Sequence, residues 1–488
     1  MKKILVAAVA AITCTTAAYA QQDLETAYFL EGYHYRHQLN PAFAPTNSYV
    51  DVAGSINAGA SSNMAVTNFI RQAEGNELIT IFDPRVPAQN ALERFKVRNK
   101  LGVSTNLNLV GAGVNIKNFF FTLGLDGRLN SDIMIPKDLI RGMKAGPSGN
   151  DDSFVLDGLG ANVSLCSQLY AGVSTKLFIP GLRVGAKVKF LMGAASLDLS
   201  YEKLRLTPSA EQWTAVGKGR LMTSLPADVY FETYGESNPD CAPDDRDVVD
   251  FTSIHKMEQV EDIRDLLKGK TSVGLAFDFG ASYTFMDDRL TASLSVLDIG
   301  HMGWKNSFIA STPDVNWTFN GFGEFSTESS GDAVNDQVDF ALGELQDLAR
   351  FRKESYGNTT GRFIPATIHA GIEFRSNWKP LSAGFLYTSR INGPYTSHEG
   401  RLSANLQFGR VFGLTASGAY GTYGLSTGAA MNLNLVLVNI FVGMDNFLPL
   451  FALTKEAVPK GFLGAYRAQF GLSFNIGSYQ GRFDRNKD

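Results

Sequence analysis

Between Thr271 and Gly300 the chain carries two long stretches of apolar/polar alternation joined by Met286-Asp287-Asp288. Val273, Leu275, Phe277, Phe279, Ala281, Tyr283 and Phe285 share one parity, and Gly274, Ala276, Asp278, Gly280, Ser282 and Thr284 share the other. After the turn, Leu290, Ala292, Leu294 and Val296 alternate with Thr291, Ser293 and Ser295. Period two is the period of a pleated strand. Strands in globular domains run to about 5–6 residues, whereas about 9–11 tilted residues are needed to cross a bilayer. The hairpin is long enough to span a membrane. Its pattern predicts Val273 to Phe285 against lipid, with Asp278, Ser282, Thr284, Thr291, Ser293 and Ser295 lining a lumen.

The pattern recurs. Leu101 to Leu109, Leu182 to Phe190, Leu402 to Phe408, Leu414 to Tyr420, Met431 to Leu437 and Tyr466 to Ile476 alternate clearly. Weaker runs lie at Val50–Ile56, Phe119–Leu129, Leu165–Leu177, Trp213–Leu221, Trp317–Phe325, Phe363–Phe374, Leu381–Arg390 and Asn439–Asp445. Twelve to sixteen strands follow, and because bacterial barrels take even numbers the expectation is an all-β, transmembrane antiparallel barrel of about 14. Short links (Pro180-Gly181, Met286-Asp287-Asp288, Asn377 to Pro380, Gly409 to Phe412) contrast with excursions at 226–270 and 326–362. Two or three short helices are expected in the long loops: Met257, Val260, Ile263 and Leu267 recur at helical spacing, as do Val338, Leu342, Leu345 and Leu348.

Lys2 and Lys3 precede an apolar stretch from Ile4 to Ile12, and Ala18-Tyr19-Ala20 offers a small-x-small cleavage site, so residues 1–20 read as a signal peptide removed near Ala20. Residues before Cys14 do not form a lipidation motif. Residues 21–47 then form an N-terminal segment, a small plug in this reading; 48–477 form the barrel, and 478–488 a polar tail. The formal net charge is −4, and losing residues 1–20 takes away Lys2 and Lys3 but no acid, giving −6. That argues against nucleic acid as a partner. Cys166 and Cys241 are too few for a disulfide scaffold, and whether they pair is left open. Only 19% of residues are charged, mean hydropathy is −0.06, and no apolar run reaches 18 residues, which fits strands rather than helices crossing a bilayer.

Motifs for catalysis, metals or cofactors are absent. The six histidines form no His-Glu-x-x-His pair, and there is no Cys-x-x-Cys, Gly-x-Ser-x-Gly or phosphate-binding loop. The protein is not expected to be an enzyme. Tyr33-His34-Tyr35-Arg36-His37 reads as an interfacial aromatic and basic segment, and Asp240 to Asp247 as a solvated acidic loop without calcium-loop spacing. Arg183, Lys187 and Lys189 share a parity opposite Leu182 and Val188; lysine at the bilayer midplane costs about 2–4 kcal/mol, so these cations are placed in the lumen. There they would meet an anionic head group or pair with acids such as Asp278. Arg467 and Gln469 take the equivalent parity in the last strand.

Leu39-Asn40-Pro41-Ala42-Phe43, just before the first strand, resembles the Asn-Pro-Ala signature near the mature N-terminus of FadL-type outer-membrane transporters of hydrophobic compounds and related Bacteroidota barrels. Ser295 to Gly300 with Trp304, Lys187 to Gly193, and Val442 to Asn446 resemble other strands of that group. The resemblance spans most of the chain and is nearest to a Bacteroidota outer-membrane barrel family without assigned function. FadL-type transporters have a longer plug; here residues 21–47 suffice for a constriction, not a domain. Phe474 is followed by fourteen residues, the last twelve running from Gly477 to Asp488, so an aromatic assembly signal would be internal. The expectation is therefore a monomeric barrel in the outer membrane of a Gram-negative bacterium, in contact with outer-membrane lipid, passing or capturing a small hydrophobic or amphipathic ligand at an apolar loop vestibule. The rival is a non-transporting platform for a protein partner at the cell surface.

Overall fold

The computed structural model describes residues 24–45, 47–64, 66–72, 78–145, 152–207, 213–226, 229–255, 271–312, 315–319, 350–446 and 464–476. The leader, the helical stripes at 257–267 and 338–348, and the tail lie outside these residues.

Fourteen strands form the wall: β1 Ser48–Ser62, β2 Arg98–Ile116, β3 Phe119–Pro136, β4 Gly160–Lys176, β5 Leu182–Thr207, β6 Ser272–Phe285, β7 Leu290–Ser311, β8 Ala366–Arg375, β9 Leu381–Ile391, β10 Ser397–Phe408, β11 Phe412–Gly421, β12 Gly424–Asn434, β13 Val438–Asp445 and β14 Gly464–Ile476. Each pairs antiparallel with the next, and β14 returns to β1 through Ser48↔Ile476 to Ser62↔Gly464. The barrel is closed, so the wall has no edge strand.

Alternation produces the two faces. Along β3 every second residue from Phe120 to Pro136 is buried, while Phe119, Phe121 and Leu123 on the other parity are exposed. In the β6–β7 hairpin Val273, Leu275, Phe277, Phe279 and Tyr283 are exposed, and Asp278 is 0% exposed. An apolar belt outside and a polar interior are what a hydrocarbon-facing wall requires. Both chain ends of the wall and the short turns at 117–118, 177–181, 286–289, 376–380, 409–411 and 435–437 lie at one rim. Gly181, at φ +81°, takes the left-handed conformation in one of them, close against the Thr284 carbonyl.

At the other rim the long strands continue past the belt. β5 has 26 residues and β7 has 22, far more than the roughly 9–11 a crossing needs. The alternating run Trp213–Leu221 is not a wall strand, nor are residues 317–319, the described part of the run Trp317–Phe325. Trp213–Ser224 pairs with the projecting half of β5, with the end of β7 and with Val315–Phe319. Alternation marks any sheet with one buried face, and this extension packs on its own core of Phe154, Leu156, Tyr201, Phe231, Phe308 and Phe351. The longest helix among the described residues, Lys137–Ala145, follows β3 rather than lying in either excursion expected to be helical.

Candidate functional site

The lumen holds residues 24–43. Leu24, Tyr28, Phe29, Leu30, Tyr33, Tyr35 and Leu39 are buried with the wall residues Leu386, Ala430 and Phe441. Their aromatic bodies supply apolar contact, and their polar tips find partners on the wall. Tyr33 Oη donates to Gln469 Oε1 at 2.6 Å, Tyr28 Oη meets Ser293 Oγ at 3.1 Å, and Tyr35 Oη donates to the Gly54 carbonyl at 2.7 Å. The Tyr33-to-His37 segment is not interfacial: His34 and His37 are 1% and 0% exposed. His34 Nδ1 meets Ser473 Oγ at 2.8 Å. Lys187 Nζ donates to His37 Nδ1 at 2.7 Å, which leaves the ring hydrogen on Nε2 to be donated to Tyr49 Oη at 2.5 Å. Burial holds His34 down at about pH 3, and burial with the neighbouring Lys187 ammonium holds His37 well below the usual histidine range.

Asn40-Pro41-Ala42 seats this plug. Asn40 Oδ1 accepts from the Ala42 N–H at 2.9 Å, and Asn40 Nδ2 reaches Tyr28 Oη at 3.2 Å and the Leu294 carbonyl at 3.3 Å. Beneath it Gly185 and Gly280 are paired across β5 and β6. A Cβ on Gly280 would stand 2.1 Å from Asn40 Oδ1, and one on Gly185 2.2 Å from the Pro41 carbonyl oxygen. Only glycine allows the segment to lie this close to the wall.

Two buried ion clusters flank the plug. In the first, Lys189 Nζ bridges Asp278 at 2.8 Å and Asp298 at 2.6 Å, and Arg128 binds Asp298 at 2.9 Å and Gln168 at 2.6 Å. A bulge between Phe277 and Phe279 makes this arrangement: Asp298 adopts φ +60°, so that Leu297 and Asp298 both turn inward. A cavity of about 20 Å³ among Gln38, Asp126, Lys187, Lys189 and Asp278 has room for about one water molecule. In the second cluster, Arg401 holds Glu399 at 2.6 Å and Asp445 at 2.8 Å, and Arg467 holds Asp445 at 2.9 Å and the plug residue Glu25 at 3.3 Å. Thr26 bonds Asp445 from the plug. Burial pushes the Glu25 carboxyl up to about 8, with the Arg467 guanidinium opposing part of that.

Towards the rim with the long extensions, the wall closes on itself. Arg390, at the end of β9, makes two bonds of 3.0 and 3.2 Å to Asp132 of β3, and Asn392 adds a third at 2.8 Å. β3 and β9 are not neighbours, so these bonds cross the lumen. Lys100 Nζ donates to the Thr396 carbonyl at 2.7 Å in the same direction.

Lys187, Lys189, Asp278, Arg467 and Gln469 are all buried on the inner face, and Arg183 donates to Ser174 Oγ at 2.7 Å. The structure gathers Lys189 with Asp278, sets Arg467 in the other cluster, and leaves Gln469 to accept from Tyr33 of the plug. Sequence reading missed Arg128, Asp132, Asp298, Arg390, Glu399, Arg401 and Asp445. A signal existed: Asp126, Arg128, Asn130 and Asp132 are four polar residues on one parity of a strand whose other parity begins Phe119, Phe121, Leu123. The apolar residues of the extension pack as a core and form no open vestibule among the described residues. Asp245 and Asp247 of the acidic loop pair with Arg350 and Arg352.

The model of a family described only as a family of unknown function, DUF5723, matches residues 41–445. The chain belongs to that family. No curated protein matches this DUF5723 chain. Among solved structures it is similar to a FadL homologue of Pseudomonas aeruginosa, at 11% identity over 94% of this chain and 99% of that one, with a TM-score of 0.40. It is similar also to the toluene transporter TbuX of Ralstonia pickettii (7% identity, 90% and 93% covered, TM-score 0.40) and to the toluene transporter TodX of Pseudomonas putida (9%, 94% and 95%, 0.36).

Proposed function

We propose that this DUF5723 protein is an outer-membrane barrel of the transporter kind, exported by way of residues 1–20 and resting shut, and that it passes a small amphipathic or hydrophobic compound when residues 24–43 leave the lumen. The observation that carries this reading is that the stopper is separate from the wall. It is held by aromatic packing, hydrogen bonds, one ion cluster and the separate Glu31–Arg375 ion pair, without a covalent tie beyond its own chain. A segment whose only role was to stabilise the wall would not need a glycine-floored seat under Asn40-Pro41.

The test compares the full chain, a chain lacking residues 24–43, and that deletion combined with Asp132→Ala, in planar bilayers and in liposome uptake. The full chain should be closed and the double change open. A doubly changed barrel that keeps its heat-modifiable gel shift yet admits no hydrophobic or polar probe ends the transport reading.

One observation favours a second reading, a platform for a protein partner. The projecting halves of β5 and β7 with Trp213–Ser224 build a sheet with its own core beyond the belt. That reading requires a stoichiometric partner co-isolated from outer membranes.

A further inference from the structure

One cavity lies outside the lumen altogether. A groove of about 690 Å³ indents the outer, lipid-facing surface of the wall across β7 to β11. Ala383, Ala404 and Ala416 are its floor, all exposed and joined through the pairs Ala383↔Ala404 and Ala404↔Ala416. Phe374, Phe385 and Leu402, between 44% and 65% exposed, stand at its sides.

The pairing register gives the groove a direction. Its floor row begins with Leu290↔Phe374 and Phe374↔Ala383 and continues through Ala416↔Ala429 to Ala429↔Met444. Leu290 is the first residue of β7 beyond the short-turn rim, whereas Met444 is the seventh of β13. Paired rows run perpendicular to strands that tilt by about 35–45° in a barrel, so the groove climbs obliquely from that rim into the apolar belt. Short turns mark the periplasmic side of such barrels, and the groove therefore opens in the inner leaflet.

Width decides what fits. Leu381 and Phe385 flank the floor on β9 at the same parity, four positions and about 13 Å apart between Cα atoms. Their side chains occupy part of that span, so a partner helix of about 10–12 Å across does not enter. The wall of a second copy, convex like this one, would bridge the groove without filling it. A single hydrocarbon chain fits, and it must lie aslant to do so, whereas bulk chains along the bilayer normal run past and forgo dispersion contact with the floor.

The lower end carries charge of both signs. Arg289 precedes Leu290, and its carbonyl accepts from the Arg375 N–H at 2.8 Å, so it adjoins the Phe374 end of the groove. Lys379 lies in the turn leading into β9, beside Trp378, which is 56% exposed as an interfacial anchor would be. Asp287 and Asp288 stand in the turn before β7, and all four charged residues are exposed. A head group with one phosphate and one ammonium matches two cations and two acids; an acidic head group matches the cations alone.

We propose that the groove binds one phospholipid of the inner leaflet with a zwitterionic phosphoethanolamine head group. One acyl chain lies over Ala383, Ala404 and Ala416, and the head group sits among Arg289, Lys379, Asp287 and Asp288. The site rests on the barrel's placement in the outer membrane and is independent of whether the barrel transports anything.

The test takes the full chain from membranes, exchanges detergent until bulk lipid is gone, supplies phosphatidylethanolamine and phosphatidylglycerol in equal amounts, and reads bound lipid by native mass spectrometry. One phosphatidylethanolamine should stay bound, preferred about fivefold, the upper end for exposed charge pairs. Ala404→Phe fills the groove with an apolar residue on an apolar face, so it should lose the lipid and keep the heat-modifiable gel shift. Arg289→Gln combined with Lys379→Gln should remove the head-group preference and leave a chain bound. A wild type that retains no lipid overturns the proposal, as do equal retention in Ala404→Phe, equal binding of the two phospholipids, or retention of lipopolysaccharide in their place. A chain that fractionates away from the outer membrane overturns the placement as well, which separates the two failures.

Discussion

Gly280 faces Asn40 at a distance that leaves no room for a single methyl group: a Cβ there would lie 2.1 Å from Asn40 Oδ1. Wall and plug are therefore fitted to each other at one point, and Gly280→Val should unseat the plug without breaking the β5–β6 ladder, because valine is a good strand residue. The expected outcome is a folded, heat-modifiable barrel whose N-terminal segment becomes protease-accessible and whose liposome leak exceeds wild type. Unchanged protection would mean that Asn40 shifts aside at little cost.

Asn40→Ala attacks the same seat from the other side. It removes the acceptor for the Ala42 N–H and the donor to Tyr28 Oη and Leu294. Leaving such buried groups unpaired costs about 1–3 kcal/mol. Limited proteolysis of residues 24–43 should speed up by a corresponding factor of about five to a hundred, while the wall's unfolding midpoint moves little.

Asp298→Asn should be among the most damaging single changes in the wall. It strips a partner from both Arg128 and Lys189, each about a tenth exposed at the side chain, and breaking a buried pair costs about 3–5 kcal/mol. By contrast Lys218→Ala, whose pair with Glu202 is 67% and 70% exposed, should be within about 1 kcal/mol of wild type. Urea unfolding in detergent separates the two.

The plug's own ionisable groups predict how its seating depends on pH. Glu25, raised from 4.5 to about 8, favours the seated plug fully below 4.5, and that contribution is lost as pH rises to 8. His34 and His37, lowered from 6.5 by burial, favour seating above 6.5 and lose that contribution as pH falls. Between 4.5 and 6.5 two histidines outweigh one glutamate, so protection of the plug should peak near about pH 6.5 and fall on either side. Glu25→Gln should flatten the alkaline limb and steepen the rise between 4.5 and 6.5, where Glu25 otherwise opposes the histidines. A liposome-leak profile that rises only on acidification would contradict the Glu25 assignment.

The structure separates what short-range pattern can carry from what it cannot. The hairpin from Ser272 to Ser311 was readable to its faces: Phe277 outward, Asp278 inward, because side-chain direction in a strand depends only on parity. The same rule overreached at Trp213–Leu221, an alternating run that belongs to the extension with its own core and not to the wall. It also failed at Asp298, since a bulge inserts one residue and reverses parity locally. His34 and His37 were misplaced at an interface because a stretch of aromatic and basic residues has the same composition whether it lies at a surface or fills a polar lumen.

By itself, then, the chain's alternation determined a membrane-length antiparallel wall of about fourteen strands, its outer and inner faces, and an Asn-Pro-Ala segment waiting ahead of the first strand. Tertiary structure alone decided that this segment, expected as a small plug, rests on Gly185 and Gly280, and that the lumen is crossed by Arg390 and Asp132. The reason is distance along the chain. Arg390 and Asp132 are 258 residues apart, and Tyr33 and Gln469 are 436 apart. Strand parity repeats every two residues and records which face a side chain takes, but only closure of the barrel determines what stands across from it.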